Sequence, residues 1–193
     1  MHQFDNYAVL FGFEHNYSKW GFRIWKVVRE GNFSFPGTLG FIMRNCDTLP
    51  VNERENQNIK LTVECMKAIR VLLEKKQKVL IYPEQGMWWN YKKPRPLKKG
   101  AFLFASKFNS PIIPCFLTLK DSDKIGKDGF PVQEITLNIS SLIYPDAKLS
   151  VAENTEIMRE KNFEVWKEVY QKTYGEELSY AGKSYKDFQV SDD

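Results

Sequence analysis

Apolar and polar positions alternate along this chain in blocks whose period switches between helical and extended. Ile59, Val63, Met66, Ile69 and Leu72/Leu73 recur at three- and four-residue steps. That stripe predicts an amphipathic helix from about 58 to 76, and its last turn is basic, as the helix dipole favours. The unbroken run "VLIYP" at 79–83 predicts a strand covered on both faces, which suits a parallel sheet. "LKKGAFLFASKF" then reads as a helix and "PIIPCFLTL" as another buried strand. In "QEITLNISSLIYP" the alternation of Ile135, Leu137 and Ile139 predicts a half-exposed strand. "NTEIMREKNFEVWKEVYQKTYG" predicts a long helix, with Asn154 or Thr155 as its cap and Gly175 as its end.

Nearer the N-terminus the pattern is less decisive. "YAVLFGF" at 7–13 fits a helix or a buried strand equally. Trp20, Ile24 and Val27/Val28 have helical spacing, so a helix is expected over 20–28. "TLGFIMR" at 38–44 reads as a short buried strand ending in Arg44, and "NCDTLPVNERENQN" as a polar connection. Strands alternating with helices predict an α/β fold, a single domain with a central, largely parallel sheet flanked by helices. The domain is expected over residues 1–175, with a polar tail at 176–193. Ligands of such sheets gather beyond the carboxyl ends of the strands. "PEQG" at 83–86 falls at one expected strand end, and Arg44 at another.

Composition narrows the function classes. The 42% hydrophobic and 27% charged content is ordinary for a globular protein, but 15% aromatic is high. Surplus rings fit a large core, a ligand groove or a membrane interface. A net charge of +4 permits attraction to phosphate or anionic lipid without demanding it. Cys46, Cys65 and Cys115 form no CxxC pair, which argues against a disulfide framework or structural zinc and for a reducing, cytoplasmic setting. No run approaches the ~20 apolar residues of a membrane span, so membrane contact is expected to be peripheral. The start "MHQFDNYAVLFGFEH" lacks the pattern of a signal peptide.

Several residues carry candidate chemistry. Glu84, followed by Gln85 and Gly86, could accept hydrogen bonds from a hydroxylated substrate where glycine lets the backbone approach closely. It could equally be a turn glutamate paired with the basic residues nearby. Arg44 offers a planar fork matched to phosphate, or is a strand-end arginine in water. Lys92, Lys93, Arg95, Lys98 and Lys99 form a basic patch that suits anionic headgroups or simply solvent. No nucleic-acid motif accompanies it, so nucleic acid is not an expected partner. Histidine, the commonest general base near neutral pH, occurs only as His2 and His15. His2 has Asp5 close enough for a turn to orient the imidazole; the alternative is a disordered second residue. There is no Gly-x-Ser-x-Gly elbow and no Gly-rich Lys-Ser/Thr phosphate loop.

Taken in order, these blocks resemble the glycerolipid acyltransferase family, typified by 1-acyl-glycerol-3-phosphate acyltransferases. "GFIMR" is similar to that family's Gly…Phe-Ile-x-Arg block, "YPEQG" to its Phe-Pro-Glu-Gly block, and "SPIIPCF" to its apolar Pro-Ile-Ile-Pro block. The helix "LKKGAFLFASKF" resembles the family's Lys-x-Gly-Ala helix. The likeness implies that Arg44 holds the acceptor's phosphate and that Glu84, Gln85 and Gly86 shape the glycerol pocket. Lys92 and Arg95 would add charge there. Trp88, Trp89, Pro111 and Pro114 would form apolar walls.

It further implies that His2, oriented by Asp5, deprotonates the hydroxyl of lysophosphatidic acid or a related lysophospholipid, which attacks an acyl thioester. The donor would be acyl-CoA or acyl-carrier protein, with no covalent acyl-enzyme, no metal and no bound cofactor. The expected setting is cytoplasmic, at the inner face of a membrane. The chain departs from the family at its first block: Tyr7 stands where the family's Asp falls after His2, and Asp5 is the nearest carboxylate. The family usually carries further residues ahead of this histidine. The alternative expectation is therefore a truncated, catalytically impaired lipid-binding homologue with an incomplete His/Asp motif.

Overall fold

A computed structural model describes Val9, Gly12, Phe13 and residues 23–52, 59–85 and 92–180. Five strands and four α-helices occur among these residues. The first strand, β1 (Ile24–Arg29), leads through a 3-10 turn (Glu30–Ser34) to helix α1 (Gly37–Asn45), then strand β2 (Thr48–Val51). Helix α2 (Ile59–Glu74) and strand β3 (Lys78–Leu80) follow. Helix α3 (Gly100–Lys107), strands β4 (Cys115–Ile125) and β5 (Pro131–Ile139), and helix α4 (Val151–Tyr174) complete the order.

Strand β1 is central in a three-stranded parallel sheet of order β2-β1-β3, with Val27 opposite Leu49 and Trp25 opposite Val79. Helix α2 covers this sheet, burying Ile69 and Cys65 with Leu49 and packing on Trp25 and Val79. The α/β class and a parallel sheet flanked by helices are as expected; the antiparallel β4–β5 pair is an addition. A second core joins α3 and α4 to β4 through Phe102, Phe116, Met158 and Trp166, and the Phe116 and Trp166 rings stack with centroids 5.1 Å apart.

Three local expectations are corrected. Residues 24–29 are strand, not helix: Ile24, Val27 and Val28 are β-branched, and pairing on both sides outweighs their helical spacing. Residues 38–44 are helix, not strand, and Phe41 and Ile42 are exposed. Pro36 stands at the N-cap of this helix, and Gly40 lets the backbone come so close to the Phe35 carbonyl that a Cβ would lie 1.7 Å from that oxygen. The polar connection after it contains β2, where Pro50 is tolerated because the strand is at the edge of the sheet.

Helix α4 is capped by Ser150 rather than Asn154 or Thr155. Ser150 and Glu153 form a reciprocal capping box, while the Asn154 side chain bonds both the N–H and the carbonyl of Asp146. Hydrogen bonding from Ser150 holds the Glu153 carboxyl below the usual carboxylate range. Gly175 ends the helix in a left-handed conformation at φ 69°, as expected. No helix among the described residues is long and apolar enough to cross a membrane.

Candidate active site

Beyond the carboxyl end of β3 the chain turns at residues 82–85, and this turn is pinned from three directions. The Gln85 N–H donates to the Tyr82 carbonyl at 3.2 Å, and Gln85 takes φ 56°. Lys98 N–H donates to the Pro83 carbonyl at 2.8 Å, and Arg95 N–H donates to Glu84 Oε2 at 2.6 Å. From the end of β1, Arg29 donates through Nη2 to the Gln85 carbonyl. Glu84 thus closes the basic segment back onto the turn through a backbone N–H.

Next to this turn lies a cavity of about 710 Å³. Its walls come from both sheets: Ile24, Val79 and Leu80 from one, Phe116, Leu117 and Leu137 from the other. Tyr82, Pro83 and Glu84 line it too, so the turn and the cavity are contiguous. Such dimensions, mostly apolar walls and a few polar groups are those of a small-molecule site. Cys115 is among its lining residues, and burial pushes that thiol up to about 11.

The expected site residues divide into groups. Glu84, Gln85 and Arg95 are brought together, and Pro111 is a cavity wall. Pro114 is fully buried and does not line the cavity. Lys92 lies 4.0 Å from Asp121 and above the Tyr174 ring, with its amine 5.9 Å from the ring centroid. Lys93, a lining residue, donates to the Ser179 carbonyl and sits over the Tyr180 ring.

Arg44 is in the last turn of α1, exposed, with Nη1 donating to the Phe33 carbonyl at 2.6 Å; it is not a lining residue of the cavity. His2, Asp5, Gly86, Trp88 and Trp89 lie outside the described residues. No group of three or more His, Cys, Asp or Glu able to hold a metal ion occurs among the described residues.

Sequence reasoning missed three participants. Arg29 reads as an ordinary strand-end cation, and nothing local ties it to Gln85. Asn162 and Trp166 line the cavity from α4. The polar Asn162 within the stripe Met158, Trp166, Tyr170 was a readable signal, because all four positions are buried.

The sequence model of the Acyltransferase family matches residues 11–118, more than half of the chain. The chain belongs to the Acyltransferase family. The matched stretch includes Arg44, the Glu84 turn, Pro111 and Pro114, and begins after His2 and Asp5. No curated protein matches it in sequence. Among solved structures, the fold is similar to that of the 1-acyl-sn-glycerophosphate (LPA) acyltransferase PlsC from Thermotoga maritima. The TM-score is 0.52 at 18% identity, over 79% of this chain and 57% of that one. The chain therefore spans little more than half the length of that structural relative.

Proposed function

We propose that this acyltransferase moves a fatty acyl group from acyl-CoA or acyl-carrier protein to the free hydroxyl of lysophosphatidic acid or a related lysophospholipid. The observation that carries this reading is the contiguity of the pinned Glu84 turn with the apolar cavity, inside the family-matched stretch. An aliphatic chain suits the cavity, and a polar headgroup suits the turn and its cations.

In the proposed reaction His2, oriented by Asp5, takes the proton of the acceptor hydroxyl as its oxygen attacks the thioester carbonyl. A new C–O ester bond forms, the C–S bond breaks, and the thiol leaves with the proton. General base catalysis of this kind contributes roughly 10²–10⁴-fold. Arg44 holds the acceptor's phosphate, and no bound metal or cofactor takes part. The substrates would be met at a membrane surface on its cytoplasmic side, through peripheral contact.

The test is thioester-dependent acylation of lysophosphatidic acid by the purified chain, beside His2→Ala and Arg44→Ala. The reading expects turnover that falls steeply in His2→Ala, and a raised KM for the phosphorylated acceptor in Arg44→Ala. Wild type and His2→Ala that are equally inert, yet still bind the lysophospholipid, would establish the impaired lipid-binding homologue instead.

A further inference from the structure

Strand β5 presents an open edge. It pairs with β4 on one side, and every residue from Pro131 to Thr136 is exposed. The direction of its backbone groups follows from its neighbours. Ser140 N–H donates to the Pro114 carbonyl, so on the same two-residue period Asn138, Thr136 and Glu134 turn their groups toward β4. Leu119, which stands opposite Ile135, has its N–H and carbonyl taken by Tyr174 on the far edge of β4. Gln133, Ile135 and Leu137 therefore turn N–H and carbonyl outward from β5, where they meet no partner among the described residues.

Open edges are normally guarded by shortness, lysine, proline or a bulge. β5 runs for nine residues without lysine, and its proline is at the first position. The register shift of the pair lies at Asp121–Ile125, on β4. Exposed Val132 on one face and exposed Ile135 and Ile139 on the other leave the edge apolar on both sides.

We infer that β5 pairs antiparallel with β5 of a second copy of this chain, about a twofold axis at Ile135. Ile135 then exchanges both backbone bonds with its own counterpart, and Gln133 faces Leu137. The Pro131 carbonyl accepts from the Ile139 N–H, so the N–H that proline lacks falls at the end of the ladder. Glu134, the one charge on the strand, faces Thr136 instead of another Glu134 and keeps Lys120 opposite it on β4. The apolar pairs Ile135–Ile135 and Pro131–Ile139 share one face. A twofold at Gln133 or Leu137 leaves part of the strand unpaired. This match of the strand to itself favours a second copy over an unrelated extended segment. Because Leu117 and Leu137 of the cavity wall stand on β4 and β5, the pairing joins two such walls in one four-stranded sheet.

The test combines sedimentation with residue-resolved amide exchange, on wild type and Ile135→Lys. Lysine there sets two like charges face to face at the axis, while the bonds from β5 to β4 come from other residues. Wild type should sediment at twice the 22.7 kDa of one chain. Ile135→Lys should raise the dimer dissociation constant about tenfold or more. In the dimer the Gln133 and Leu137 amides should exchange as slowly as those of Thr136 and Asn138. In Ile135→Lys the first two should become fast while the last two stay slow, and dilution of wild type to monomer should produce the same change without any substitution.

A wild type that is monomeric at every concentration would overturn the inference. So would a dimer whose Gln133 and Leu137 amides exchange freely, or one that Ile135→Lys leaves intact. Protection of those two amides in a monomer would overturn it as well, because a segment of the same chain then covers the edge. None of these readouts involves acyl transfer, so the proposed reaction stands or falls separately.

Discussion

The carboxylate of Glu84 accepts a 2.6 Å hydrogen bond from the backbone N–H of Arg95, across a partly buried gap in the fold. Glu84 is therefore a structural clamp on the basic segment, whatever it also offers a ligand. Its removal takes that acceptor from the partly buried Arg95 N–H, and a hydrogen bond to a charged group contributes about 1.5–3 kcal/mol. Glu84→Ala should lower stability to denaturant by that amount, while Glu84→Gln keeps a neutral acceptor and loses about half as much. Equal stability of Glu84→Ala and wild type would show that the clamp contributes nothing.

Gly40 and Gly37 make opposite demands on a side chain. A Cβ at Gly40 would meet the Phe35 carbonyl oxygen at 1.7 Å, so Gly40→Ala must push α1 away from the chain before it. Gly37 has φ +66° and open space, so Gly37→Ala meets only backbone strain, about 1–2 kcal/mol. The expected order in urea unfolding is Gly40→Ala well below Gly37→Ala, itself below wild type. Gly40→Ala should also weaken acceptor binding if Arg44 holds the phosphate, because α1 carries both. A Gly40→Ala protein as stable as Gly37→Ala contradicts this packing.

Buried thiols give the fold an alkaline limit. Burial raises Cys65 and Cys115 from 9.0 to about 11. A group whose pKa is raised on folding contributes stability that is complete below its unfolded value and is lost as pH rises through the folded one. Stability should therefore decline between pH 9.0 and about 11, and less steeply in Cys65→Ala/Cys115→Ala after its lower baseline is subtracted. At neutral pH an alkylating reagent should modify exposed Cys46 first. A saturating fatty acid should slow modification of Cys115, which lines the cavity, more than that of Cys65. Rapid and equal labelling of all three thiols would contradict the burial.

Tyr174 completes the backbone bonding of β4. Its hydroxyl accepts from the Leu119 N–H at 2.9 Å and donates to the Leu119 carbonyl at 3.1 Å. Tyr174→Phe removes both partners at once, so a loss of about 1–3 kcal/mol is expected for the stranded backbone groups. Hydrogen exchange should report it locally, as faster exchange at Leu119. An unchanged exchange rate there would mean that the hydroxyl does not protect the strand.

Much of this architecture was legible in the sequence. The stripe in α2, the apolar run into β3, the α3 block and the glycine end of α4 all announce themselves through period and punctuation. The failures have physical causes. In 24–29 and 38–44 the apolar residues are too few to fix a period, and tertiary pairing or a backbone contact at Gly40 decides. The N-cap of α4 went to Ser150 because the box with Glu153 outcompetes Asn154, which serves Asp146. At the site, Glu84 was readable as a turn carboxylate beside basic residues. That its partner is a backbone N–H, and that Arg29 reaches Gln85, depends on contacts between positions far apart in the chain.

The most direct measurement of the central claim is the chain-length dependence of acyl transfer to lysophosphatidic acid, in wild type and in Leu117→Trp, which places bulk inside the cavity. If the cavity beside the Glu84 turn receives the acyl chain, Leu117→Trp should lose kcat/KM for long-chain thioesters by tenfold or more, about 1.4 kcal/mol, and keep its rate with short-chain ones. Equal loss for long and short chains, or no loss for either, would contradict it.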